Sequence, residues 1–158
     1  MFRKMKKIRQ ELSPEETREI LKKGKTGVLG VLGEDDYPYT VPVNYVCVGQ
    51  KIYLHGAKTG HKIDSIRKHE KVSFCVISQD DLVSEELTTY FKSVIVFGKA
   101  RVLESEEEIF QCIQTLGLKF NPDEGRVKAE IQKSFHALGC IEITIEHMTG
   151  KQSIELVQ

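Results

Sequence analysis

The sequence predicts a mainly β domain of the α+β class: six antiparallel strands in a sheet that closes on itself, with helices on its flanks. Three observations predict it. Six runs rich in β-branched and aromatic residues are joined mostly by short connections, the pattern of an antiparallel sheet. Two capping signatures and one glycine-rich loop start helices between those runs. No GxGxxG follows a strand, which argues against a doubly wound parallel sheet. The 158 residues, 40% of them hydrophobic, supply one core, so residues 1–158 read as a single domain.

The first helix starts at Ser13-Pro14-Glu15-Glu16: a cap residue, a proline at the first helical position and a glutamate three residues after the cap. Lys22 and Lys23 complement its carboxyl end, and Gly24 is expected to stop it in the left-handed conformation. TGVLGVLG at 26–33 is the first strand, followed by the polar turn Glu34-Asp35-Asp36. PYTVPVNYVCV at 38–48 forms the second and, after Gly49-Gln50, KIYLH at 51–55 forms the third. These three read as a meander. HKIDSIRKH at 61–69 is a short helix with Ile63 and Ile66 on one face.

KVSFCVI at 71–77 is the fourth strand, the polar stretch 78–92 reads as irregular, and SVIVFGKARVL at 93–103 is the fifth strand. Ser105-Glu106-Glu107-Glu108 repeats the capping box and opens a helix to about Lys119, with Ile109, Cys112, Ile113 and Leu116 along one side. Another helical stretch, roughly 123–136, follows Asn121-Pro122. CIEITIEH at 140–147 alternates strictly, so the sixth strand has one buried face.

Lys and Arg number 23 and Asp and Glu number 23, so there is no overall basic field for sequence-independent nucleic-acid binding. Any anion site is therefore local. No stretch approaches the roughly 20 apolar residues of a membrane span, and a cytoplasmic location is expected. The basic opening MFRKMKKIRQ reads as a solvated end. Cys47, Cys75, Cys112 and Cys140 form no CxxC pair, and the five histidines, His55, His61, His69, His136 and His147, have no HExxH spacing. Reduced thiols and no metal site are expected.

YLHGAKTGHK at 53–62 joins a strand to a helix through two glycines and gathers His55, Lys58, Thr59, His61 and Lys62 at the helix start. Free backbone N–H groups and the helix dipole favour an anion there, and the lysines add charge. A phosphate suits such a site; a solvated basic turn is the simpler alternative. The spacing is not that of a Walker loop, and no Ser or Cys nucleophile motif supports His55 as a general base. In PYTVPVNYV at 38–46, Pro42 points to an edge strand or an irregular one where a ligand lies on the backbone. Asn44 beside it offers a donor and an acceptor.

The series TVPVNYV, IYLHGAKTGHK, KVSF, SVIVFGKA and the later TGK resembles, from about Arg3 to Lys151, the FMN-binding split barrels related to pyridoxamine 5'-phosphate oxidase, and within them the nitroimidazole-resistance branch. The resemblance implies a six-stranded split β-barrel that is a homodimer with FMN at the subunit interface. It implies that His61-Lys62 hold the phosphate, with Lys58 and Thr59 nearby. The flavin ring would lie along Val41-Pro42-Val43-Asn44 and against His55-Gly56-Ala57. Ser93 and Ile95 would line it, and Lys151 matches a position near the site. His55 is the candidate for a catalytic role, with packing or hydrogen bonding as the alternative.

The implied activity is reduction of a small electron-poor, nitroaromatic-type acceptor by a flavin that carries the redox chemistry. The chain lacks the arginine-rich second-strand motif and the carboxy-terminal segment of the vitamin-phosphate oxidases, which turns the expectation away from that reaction. Two alternatives stand beside it. One is a flavin-binding or sensor module without turnover; the other is the same barrel holding haem or a deazaflavin.

Overall fold

Tyr45 divides the run that the sequence reads as one strand. The computed structural model describes residues 1–158 and places β1 at Thr26–Leu32, β2 at Pro38–Asn44, β3 at Val46–Val48 and β4 at Lys51–Ala57. β2 pairs only with β1, from Thr26 opposite Asn44 to Leu32 opposite Pro38. β3 pairs with β4, Val46 facing Tyr53. The expected meander is thus broken, and the sheet has seven strands rather than six. The physical reason lies in Tyr45: its ring is fully buried, its hydroxyl donates to the Leu21 carbonyl, and its edge meets Phe74 at 4.9 Å and 77°.

β5 (Lys71–Val83), β6 (Thr88–Val102) and β7 (Leu138–Gln152) complete one antiparallel sheet in the order β2-β1-β5-β6-β7-β4-β3. Its two outermost strands, β2 and β3, are successive pieces of one extended segment. The sheet must therefore roll up until its ends meet at Tyr45. No ladder joins β2 to β4, so the roll keeps a slit along one side. The polar stretch 78–92, expected to be irregular, is a hairpin in which Gln79 to Val83 pair with Lys92 to Thr88. Its side chains are mostly in solvent, so cross-strand hydrogen bonds hold it without any apolar alternation to betray it.

α1 (Pro14–Lys23) carries the anticipated capping box at Ser13 and Glu16. Gly24 corrects its expected left-handed stop: it is extended, with φ −60° and ψ 147°. A Cβ there would overlap the Tyr45 hydroxyl, so close packing excludes a side chain at this position. α2 (His61–Lys68), α3 (Glu106–Phe120) and α4 (Glu124–Ser134) follow the expected order.

Leu29, Ile52, Leu54, Phe74, Val94, Ile141 and their neighbours fill the barrel. A second apolar layer, with Ile109, Ile113, Leu116, Val127 and Ile131, packs α3 and α4 on the outside of β4 and β7. Full burial of each such side chain contributes roughly 1.5–3 kcal/mol. No helix is long and apolar enough to cross a membrane.

Candidate functional site

β4 alternates Ile52 and Leu54 into the barrel with Tyr53 and His55 outward, and it carries the YLHGAKTGHK segment to the edge of the slit. If the β3–β4 register continued, Asn44 would face His55 and Pro42 would face Ala57; instead β2 peels away to β1. The facing edges at 42–44 and 55–57 therefore share no ladder, which leaves main-chain groups of both strands along the slit without partners across it. Val41 and Val43 turn inward against the core, while Pro42 and Asn44 turn outward. β2 keeps a regular register, so Pro42 marks an ordinary edge strand without a bulge. Asn44 is partly committed: its Nδ2 donates to the Lys25 carbonyl at 3.2 Å and to Thr26 Oγ1 at 3.1 Å.

The loop after β4 turns at Gly60, whose φ of 137° is open only to glycine, and α2 begins there with no side-chain cap. Its first N–H groups are left for an external acceptor. Lys62 folds back over β4, its Nζ only 3.0 Å from where a Cβ on Gly56 would stand. The absence of that Cβ is what lets the ammonium reach the slit edge. Lys58 and Thr59 are exposed beside it, and neither lysine enters an ion pair.

His61 sits less freely. Its Nε2 accepts from the Glu34 N–H at 3.2 Å and its ring leans on Tyr39 at 4.1 Å, so Nδ1 carries the proton and is its one free donor. Partial burial of the His55 ring, which stays open to solvent on one side, and then the charge of Lys62, lower the His55 pKa below the usual imidazole value. His55 is neutral at neutral pH and can donate or accept a hydrogen bond.

Ser93, Ile95 and Lys151 lie elsewhere on the molecule. The registers set them in outward-facing rows across the sheet: Ile77, Ser93, Lys151, and next to it Pro42, Val28, Cys75, Ile95, Thr149. Pro42 and Ile95 are three strand spacings apart, about 14 Å. A single chain does not bring Ser93, Ile95 and Lys151 to the slit. The face they share is open and apolar, with Val28 36%, Ile77 62%, Ile95 44% and Phe97 41% exposed. The first residues reach over it, Phe2 stacking on His147 at 4.7 Å and on Phe97 at 5.6 Å. That stack has no signal in the sequence, because the basic opening reads as a free end.

No three His, Cys, Asp or Glu side chains are grouped to hold a metal ion. The cysteines are unpaired thiols, Cys112 and Cys140 buried and Cys47 and Cys75 partly so.

A sequence profile of the pyridoxamine 5'-phosphate oxidase family matches residues 13–152. No curated protein matches the sequence. Among solved structures, a Bacteroides thetaiotaomicron protein named for 5-nitroimidazole antibiotic resistance is similar over 90% of this chain and 86% of its own, with TM-score 0.73 and 19% identity. A flavocytochrome from Azotobacter vinelandii is similar over 89% and 67%, with TM-score 0.77 and 19% identity. An FAD-binding protein from Mesorhizobium loti is similar over 91% and 97%, with TM-score 0.64 and 22% identity. At these identities the likeness is one of fold, the mainly β split barrel with flanking helices.

Proposed function

The chain belongs to the pyridoxamine 5'-phosphate oxidase family, and on that footing we propose that it is a flavoprotein that holds FMN in the slit between β2 and β4 and passes electrons to small electron-poor acceptors. One observation carries the reading: Lys62 lies over the bare Cα of Gly56, beside the uncapped start of α2 and the unpaired edges of the slit. That set fits a ligand with a phosphate at one end and a flat hydrogen-bonding ring at the other. The names of the Azotobacter and Mesorhizobium proteins, a flavocytochrome and an FAD-binding protein, support a flavin as the occupant.

In this reading Lys62 and Lys58 neutralise the phosphate, the first N–H groups of α2 donate to it, and Thr59 and His61 Nδ1 complete the cradle. The backbone at 42–44 and 55–57 grips the ring edges, and the free Asn44 Oδ1 accepts from a ring N–H. The flavin, when bound, supplies the redox chemistry. The remaining ring face is covered by a second copy of the chain. Ser93, Ile95 and Lys151 reach the flavin from that copy, and the open apolar face around Val28, Ile77 and Ile95 supplies the contact. Nitroaromatic compounds are the proposed acceptors, supported by the name of the Bacteroides protein.

Absorption of the purified protein after incubation with FMN, and separately with haemin, tests the cofactor. A flavin spectrum that survives gel filtration supports the reading; retention of a Soret band in place of flavin overturns it. Anaerobic reduction with dithionite followed by a 5-nitroimidazole then tests turnover: re-oxidation with loss of the nitro absorbance supports reduction, and a stably reduced flavin leaves a binding protein only.

A further inference from the structure

The outward face of β4 opens on a second concavity that the flavin slit does not use. Packing of α3 and α4 against β4 and β7 leaves a cavity of about 350 Å³ with the His55 ring in its wall. Its floor is made by Ile113, Leu116, Val127 and Ile131, all well inside the second apolar layer. Phe120, 47% exposed, carries the apolar surface out to the mouth.

The mouth is polar and its charges are unequal. Glu130 is turned to Lys133 at 4.0 Å. Arg126 stands on the same side of α4 and enters no ion pair. Asn121 and Ser134 add uncharged polar groups. An apolar floor calls for a flat hydrophobic body, and an unpaired guanidinium at the mouth calls for one planar anionic group, which it binds with two parallel hydrogen bonds. A volume near the low end of small-molecule sites suits one substituted ring rather than a tetrapyrrole or a second flavin.

We propose that this cavity binds a planar aromatic monoanion of single-ring size, its ring on the floor, its edge against His55 and its carboxylate on Arg126. As the class of acceptor for the flavin, this ligand rests on the reading above. As a binding site it stands by itself. His55 then joins two sites, its backbone on the slit and its imidazole on the cavity, and it hydrogen-bonds the ring substituent as a neutral group.

Calorimetric titration with 4-nitrobenzoate and with nitrobenzene, each on the FMN-saturated and the flavin-free protein, tests this. One 4-nitrobenzoate per chain is expected, bound roughly tenfold or more tighter than nitrobenzene. Arg126→Gln removes that preference, Arg126→Lys keeps part of it, and neither changes FMN affinity. Binding of 4-nitrobenzoate that depends on Arg126 in a protein that takes up no FMN upholds the cavity and refutes the flavin reading. Normal FMN binding with equal 4-nitrobenzoate affinity in wild type and Arg126→Gln, or with no 4-nitrobenzoate binding at millimolar concentration, overturns the proposal.

Discussion

The Lys119 ammonium lies 4.4 Å from the centre of the Tyr45 ring and donates to the Tyr45 carbonyl at 2.9 Å, as well as to the carbonyl of Gly24. One side chain at the end of α3 thereby ties the carboxyl end of α1 to the residue where the rolled sheet splits. Lys119→Met keeps the stem and leaves both carbonyls without their donor. A loss of about 1–3 kcal/mol is expected, the scale of an unsatisfied partly buried acceptor. Urea unfolding measures it, and an unchanged midpoint would show that water replaces the ammonium at no cost.

Glu142 is the buried charge of the fold, on the outer face of β7, with Lys51 and Arg101 each at 3.0 Å and the Tyr53 hydroxyl donating at 3.2 Å. Burial pushes its pKa up, but the hydrogen bonds and charges of Arg101 and Lys51 outweigh it and hold the carboxyl below its usual value. A lowered folded-state pKa gives stability that is present above the unfolded value of 4.5 and is lost as the pH falls through the folded one. Glu142→Gln should therefore cost about 1–3 kcal/mol at neutral pH. The difference from wild type should shrink on acidification, and a gap that stays constant to pH ~3 would contradict the assignment.

How much of this was legible in the sequence depends on whether the signal is local. The Ser13 and Ser105 caps and the alternation along Ile141, Ile143 and Ile145 are written in neighbouring residues, and the structure keeps them. Ser105 does cap Glu108, although the Glu108 carboxylate turns to Arg101 at 2.7 Å instead of closing the box. The break at Tyr45 is not local: PYTVPVNYV alternates through it, and only the competing pairings with β1 and β4 divide it. The strand-to-helix turn at 53–62, with its two glycines and two lysines, is a local motif and could be read directly. That Ser93, Ile95 and Lys151 stand on a separate face follows from strand order, and the cavity at Arg126 from helix packing. Neither leaves a mark in residue spacing.

Partial burial of the His55 ring, and after it the charge of Lys62, sets a pH dependence. With its pKa lowered from 6.5, His55 takes up a proton less readily in the folded than in the unfolded chain, so acidification below about that value destabilises the fold. NMR titration should find the His55 pKa below 6.5 and should find it moved up in Lys62→Met. His55→Gln should remove this part of the pH dependence of unfolding. A His55 titration indifferent to Lys62 would place the lysine away from the slit edge.

The open sheet face makes a prediction about assembly. Light scattering at micromolar concentration should give about twice the 18.0 kDa chain mass. Ile95→Lys puts a charge in the middle of the exposed apolar row and should yield a folded monomer that no longer retains FMN. A wild-type monomer that holds FMN tightly would show that one chain is sufficient for the site.

If Lys62, placed over Gly56, anchors the phosphate of FMN, its removal must weaken binding, and a titration of FMN fluorescence against wild type, Lys62→Ala and Lys22→Ala measures that loss. Lys22 lies in the last turn of α1 and serves as the control for loss of a surface charge. About one FMN per chain is expected in wild type, with affinity weakened roughly tenfold or more in Lys62→Ala, the scale of one charge-assisted hydrogen bond, and no material change in Lys22→Ala. Equal weakening in the two variants, or a wild-type protein that takes up no FMN, would contradict it.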